Sequence, residues 1–261
     1  MEIGQQYLMQ LNNIYLKHNE LSIHSFMNGF SFSTINQKYF FPSSKENMIE
    51  DELKEWIAEK KLLIPNAKLI LFNHLPVIIP QIIFDEKKIK DYLLTSIEPK
   101  KYLVKNHFIK KCNQVIVYYQ NLDNLKVLKN IYPKLESKHF ISILLEKLSE
   151  YSKGNSKKQI FVNLRKDFFD IFLYQSSQLL LYNSFSHKNE EDFLYYLFYI
   201  IEVYHLKPNE FKITFLGKYS FFENYYLSVK DYHSDIYFLN SNSNFENIDT
   251  HQAPFFCNIY K

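Results

Sequence analysis

Hydrophobic and polar positions alternate with a period of two near the start of the chain and again just past its middle. Residues 21–26 (LSIHSF) and 30–36 (FSFSTIN) read as two strands across Met27-Asn28-Gly29, a turn signal with glycine where a positive φ is wanted. Residues 38–41 extend this to a third strand. Pro42-Ser43-Ser44 then leads into a helix over 45–61, in which Ser43 and Glu46 have capping-box spacing and Ile49, Leu53, Trp56 and Lys60 share one face. Pro65-Asn66 precedes a buried strand over 68–73. The window 76–84 (PVIIPQIIF) is apolar, but its two prolines disfavour a central strand or a helix interior. A short helix over 85–95 follows, with Asp85 near its start. Strands at 102–109 and 114–119 flank Lys110-Lys111-Cys112-Asn113, and helical spacing covers 122–132 and 140–151.

The polar stretch 152–158 (SKGNSKK) separates two apolar regimes and reads as a hinge between lobes, 1–152 and 153–261. Beyond it come strands at 159–164, 168–174 and 178–185, a helix over 190–205 and a strand at 211–216. A helix over 220–230 and a strand at 235–239 complete an α/β lobe, and the Asn/Ser-rich tail from Ser241 reads as loop. Phe193, Leu197, Ile200 and Tyr204 form a stripe at helical spacing, with Tyr195, Tyr196 and Tyr199 close by. A helix apolar around most of its circumference is expected between layers.

Composition changes this picture in one respect. The chain has 21 Tyr and 24 Phe in 261 residues but only 4 Gly, so backbone positions open to close ligand approach are scarce. The net charge of +3 is small and the two signs are interspersed, unlike the concentrated positive stripe of a dedicated nucleic-acid binder. Cys112 and Cys257 form no CxxC pair; one disulfide is formally open to them, and a reducing compartment accounts for the low cysteine count as readily. The N-terminal residues lack the basic head and apolar stretch of a signal peptide. The apolar windows at 76–84 and 193–204 fall short of the roughly 20 residues a membrane span needs. Cytoplasmic localisation, with no membrane partner, is the expectation.

The two halves open alike, LSIHSFMNGFSFSTIN in one and IFVNLRKDFFDIFLY in the other. Duplicated β-rich lobes of this kind resemble the actin, Hsp70 and hexokinase superfamily. More narrowly, GFSFSTIN at 29–36, LLLYNSF at 179–185, DFLYY at 192–196 and TFLG at 214–217 resemble an uncharacterised bacterial family, domain of unknown function 3822. The resemblance covers nearly the full chain and implies an α/β fold of two ribonuclease-H-like lobes of the actin-like ATPase type.

In active members of that superfamily each hairpin sets a glycine-rich turn against nucleotide phosphates, beside a metal-binding Asp. Phosphate oxygens must approach backbone N–H groups closely, and the metal needs hard carboxylate oxygen. Here the first hairpin offers Ile23-His24-Ser25 where an acid would lie. The second offers Asn163 in place of Asp, then Leu164, Arg165, Lys166, Asp167 and Phe168 in place of Gly and small residues. Gly217 matches a glycine near the adenosine, followed by Lys218. The resemblance therefore implies a degenerate nucleotide cleft at His24, Gly29, Asn163, Arg165, Lys166 and Gly217, with phosphate loops unsuited to ATP hydrolysis.

Other constellations carry less. Arg165 and Lys166 would attract an anion, although a solvated basic turn is the plainer reading. Asp167 and Asp170 flank Phe168 and Phe169 without the geometry of a catalytic pair. His107 with Cys112, and His251 with Cys257, lack zinc-ligand spacing, and no metal or cofactor is expected. Glu190, Glu191 and Asp192 suit a helix N-terminus. Lysines at 87–90, 100–105 and 110–111, interleaved with Tyr102, His107 and Phe108, leave RNA contact as an alternative. The function expected is a non-catalytic scaffold or adaptor with another protein as partner. The alternatives are a nucleotide- or phospholigand-binding sensor or enzyme, and an RNA-associated accessory factor.

Overall fold

The computed structural model describes residues 20–26, 29–34, 37–42, 50–72, 75–93, 102–165, 167–217 and 219–240. In order, the first elements are β1 (Glu20–Phe26), β2 (Gly29–Ser33), β3 (Lys38–Pro42), α1 (Glu50–Glu59), β4 (Asn66–Leu71) and β5 (Val77–Pro80). Then come β6 (Tyr102–Ile109), β7 (Gln114–Asn121), α2 (Leu122–Ile131), β8 (Glu136–His139) and α3 (Phe140–Ser152). The rest are β9 (Lys158–Leu164), β10 (Phe168–Gln175), β11 (Gln178–Ser186), α4 (Glu190–Val203), β12 (Phe211–Gly217), α5 (Tyr219–Lys230) and β13 (Ile236–Asn240). The chain divides into two compact units, with the change falling inside α3 between Glu146 and Lys147.

In the first unit a five-stranded sheet has the order β3-β2-β1-β4-β8. β1 and β2 pair antiparallel, as do β2 and β3, whereas β4 and β8 join parallel to β1 and to each other. Period-two alternation splits its residues between two faces. One face carries Ile23 and Phe32 towards α1, whose Leu53 and Ile57 are buried; Trp56 meets the rings of Phe32, Tyr39 and Phe41 at 5.2–6.2 Å. The other face is polar and still buried: Ser22, His24, Ser31 and Ser33 are at most 1% exposed. A second sheet, β5-β7-β6, packs Ile79, Val115, Val117 and Tyr119 against Leu93 and its neighbours.

The second unit repeats the topology. Its sheet runs β11-β10-β9-β12-β13, antiparallel through the first three strands and parallel through the last three. Val162, Ile171 and Phe215 point from one face to Phe193, Leu197 and Ile200 of α4 and to Tyr226 and Val229 of α5. Burying one such large side chain stabilises the fold by roughly 1.5–3 kcal/mol, so this layer is the main source of the unit's cohesion.

Most of the predicted elements are present, with informative differences. Ser43 and Glu46, and with them the expected start of the helix over 45–61, lie outside the described residues, within which α1 runs Glu50–Glu59. In place of the helix expected over 85–95 stand two 3-10 turns, Glu86–Lys88 and Asp91–Leu93, and a third precedes them at Gln81–Ile83. β5 forms despite its terminal Pro80 because it is an edge strand, where a missing N–H goes unneeded. α4 is not covered on nearly all sides: Tyr195, Tyr199 and Val203 line an exposed face, the two tyrosine rings stacking on each other. Among the described residues no helix is long and apolar enough to cross a membrane.

Candidate functional site

Hairpin register makes the two units directly comparable. Phe26–Gly29 closes the β1–β2 hairpin, and Arg165–Phe168 closes the β9–β10 hairpin, where the Arg165 N–H donates to the Phe168 carbonyl at 2.9 Å. Two positions further along each strand stand the pairs His24–Ser31 and Asn163–Asp170. His24 and Asn163 are therefore equivalent, and so are Ser31 and Asp170.

In the first hairpin His24 is fully buried. Its Nε2 lies 3.0 Å from the Ser22 hydroxyl, while its Nδ1 and the Ser31 hydroxyl meet no protein hydrogen-bond partner. Burial, reinforced by the charge of Lys38, pushes the imidazole pKa down to about 3. His24 is thus neutral near pH 7 and brings no charge to the hairpin. Gly29 has φ +150°, and a Cβ on it would lie 2.3 Å from the Phe41 carbonyl oxygen and 2.8 Å from Phe40. Its glycine answers the close approach of β3.

The second hairpin holds a built network. Asp170 is fully buried on β10. It accepts one hydrogen bond from Asn163 Nδ2 at 2.8 Å and another, charge-assisted, from Arg165 Nη2 at 2.9 Å. The same guanidinium nitrogen donates to the Ser184 hydroxyl at 3.1 Å, and Phe168 stacks on the guanidinium 5.4 Å away. Ser184 is there because it stands opposite Asp170 on β11. The Tyr182 hydroxyl, two residues back on the same face, is buried without a hydrogen-bond partner. Its pKa is driven well above the usual phenol value by burial and by Asp170. Phe169 points the other way, into the core against Phe185 and Phe193.

His187, which sequence reasoning did not single out, braces the turn. Its backbone N–H donates to the Asp167 carbonyl at 3.1 Å, its Nε2 lies 3.2 Å from the Arg165 carbonyl, and its Nδ1 lies 3.0 Å from the Tyr225 hydroxyl. A carbonyl only accepts, so in the neutral ring Nε2 carries the proton and Nδ1 accepts from Tyr225. No periodicity marks a histidine just past a strand; only the hairpin's closure reveals it.

Of the residues read from the sequence, Asn163 and Arg165 come together on Asp170. Gly217 ends β12 one position beyond Leu216, the pairing partner of Asn163. His24 and Gly29 occupy the other unit's hairpin. Lys166 and Lys218 lie outside the described residues. Asp170 is bound to Arg165 and Asn163 and forms no pair with Asp167, whereas Arg165 is neither a solvated turn residue nor an uncommitted cation. Among the described residues no group of three or more His, Cys, Asp or Glu is placed to hold a metal ion. Cys112 is a buried free thiol whose pKa burial pushes up to about 11.

Two sheets of identical order, each opening on a hairpin, define the class as the actin-like ATPase fold. A Bacteroides thetaiotaomicron protein with actin-like ATPase fold and unknown function superposes with a TM-score of 0.72 at 23% identity, over 87% of this chain and 93% of that one. A chain of the PilM–PilN type IV pilus biogenesis complex superposes with a TM-score of 0.54 at 10% identity, over 92% of this chain and 96% of that one. The chain belongs to the family described as protein of unknown function (DUF3822), whose profile matches residues 9–236. No curated protein matches the sequence.

Proposed function

We propose that this protein is a non-catalytic scaffold or protein-binding adaptor of the cytoplasm, built on an actin-like fold whose nucleotide site is degenerate. The observation that carries the reading is the buried Asn163–Arg165–Asp170 network. An anion-binding turn needs uncommitted backbone N–H groups and a free positive charge. Here the Arg165 N–H is given to the Phe168 carbonyl, and one guanidinium nitrogen, Nη2, to Asp170 and Ser184. In the first hairpin, a neutral histidine stands at the position equivalent to Asn163, and β3 takes the space a side chain on Gly29 would need. The PilM–PilN complex supports the positive half of the proposal, since a chain of the same fold is found there in a complex named for two proteins.

Thermal unfolding with and without ATP or ADP and magnesium tests it. A ligand that binds only the folded state must raise the melting temperature as its concentration passes the dissociation constant. The expected result is no shift at millimolar nucleotide. A rise of several degrees would replace this reading with a phospholigand sensor, and tight RNA binding that weakens steeply with salt would replace it with an RNA-associated factor.

A further inference from the structure

The apolar window 76–84 does not stay in one layer. Ile79 of β5 is buried, Pro80 ends the strand, and Gln81–Ile83 turn outward with no residue buried. Ile82 is 94% exposed and Ile83 65%. This turn is held in place. The Tyr92 hydroxyl accepts the Asp85 N–H at 2.8 Å and donates to the Ile83 carbonyl at 3.2 Å, and the Gln81 N–H donates to the Asn113 carbonyl at 2.9 Å. The last bond ties Gln81, next to the two isoleucines in the chain, to the β6–β7 turn, where Lys110 and Lys111 are exposed. Phe84 packs edge-on against Phe108, itself 42% exposed, extending the apolar surface along β6. Exposed Lys87, Lys88 and Lys90 follow. The acids among them are Asp85, whose carboxylate accepts the Lys87 N–H, and exposed Glu86 and Asp91.

We propose that this tip is a peripheral contact site for an anionic lipid surface. Ile82, Ile83 and Phe108 would enter the boundary between headgroups and acyl chains, while the lysines face headgroup phosphates. Charge and shape select this occupant. A second copy would bring one lysine-rimmed tip against another. RNA is bound by stacking on flat π surfaces; the most exposed residues of the tip, Ile82 and Ile83, have none, and Phe108 is the one exposed ring beside them. A side chain exposed to 94% stands proud of its surroundings, so a protein partner would need a preformed pocket, whereas a fluid interface conforms to whatever enters it. The site lies in the three-stranded sheet and its 3-10 turns, and it does not depend on the state of the nucleotide hairpins.

Co-sedimentation with vesicles tests the proposal on the full chain. Vesicles of phosphatidylcholine and phosphatidylglycerol in equal parts should retain the protein, and vesicles of phosphatidylcholine alone should not. Ile82→Ser with Ile83→Ser, and separately Lys110→Glu with Lys111→Glu, should each weaken retention by about tenfold or more. Tyr195→Ser with Tyr199→Ser, which removes exposed aromatics from α4, should leave it unchanged. In an Ile82→Trp variant, emission should shift to the blue on adding anionic vesicles. Failure to bind anionic vesicles, or full retention by the isoleucine variant, overturns the proposal. Binding in their place to an acidic, leucine-bearing helical peptide or to oligouridine would assign the tip to protein or to RNA and overturn it equally.

Discussion

At His24, burial without a counter-charge links protonation to stability. The unfolded side chain titrates at 6.5 and the folded one at about 3, so below pH 6.5 the unfolded chain binds a proton that the folded chain refuses. Stability is therefore complete above about pH 6.5, falls as pH drops towards 3, and levels off below that. The slope is about 1.4 kcal/mol per pH unit, which amounts to about 2 kcal/mol lost between pH 7.5 and pH 5. His107 and His233 are shifted in the same direction, chiefly by burial, and add to the trend. In His24→Gln, urea unfolding at the two pH values should show a loss smaller by about 2 kcal/mol. Equal losses in variant and parent would remove His24 as the source.

Among the elements, α4 shows how a local signal becomes global stability. The Asn189 side chain accepts the Asp192 N–H at 2.9 Å, and Asp192 in return accepts the Lys188 N–H at 3.0 Å, a reciprocal cap on the first turn. Because Phe193 and Leu197 enter the core just beyond this cap, Asn189→Ala should lower the unfolding free energy of the second unit by about 1 kcal/mol. A urea midpoint unchanged in that variant would show the cap to be idle. The acidic residues at 190–192 made the start of this helix legible from the sequence. Its outer face departs from the apolar periodicity because tyrosine counts as apolar in such a pattern yet tolerates water, as Tyr195 and Tyr199 do. β8 was not legible at all: Glu136-Ser137-Lys138-His139 has no apolar alternation, and it is a strand through backbone pairing with β4. Asp85 signals a helix start in the sequence and does cap, but it caps the single turn Glu86–Lys88.

For the molecule as a whole, duplication is what makes the site interpretable. The paired openings of the two halves were legible because strand alternation and turn residues repeat. The coupling of Asn163 to Asp170 was not, since it depends on cross-strand register, which only the closed hairpin fixes. That coupling also determines whether the hairpin can be returned to the superfamily pattern by one change. Asn163→Asp would supply the acid that the resemblance implies, but its carboxylate would replace an amide donor 2.8 Å from the buried carboxylate of Asp170. Two carboxylates so close cannot both ionise cheaply, so the affinity of the pair for one proton rises. A group whose pKa is raised in the folded state costs stability above that pKa and less as pH falls through it. The variant should therefore unfold at lower temperature than the parent near pH 7, with the gap narrowing on acidification. It should also show no stabilisation by ATP and magnesium, because Arg165 remains bound to Asp170. A gain in nucleotide-dependent stability in Asn163→Asp would show instead that the hairpin lacks only its acid, and that Asp170 has not taken over that place in the fold.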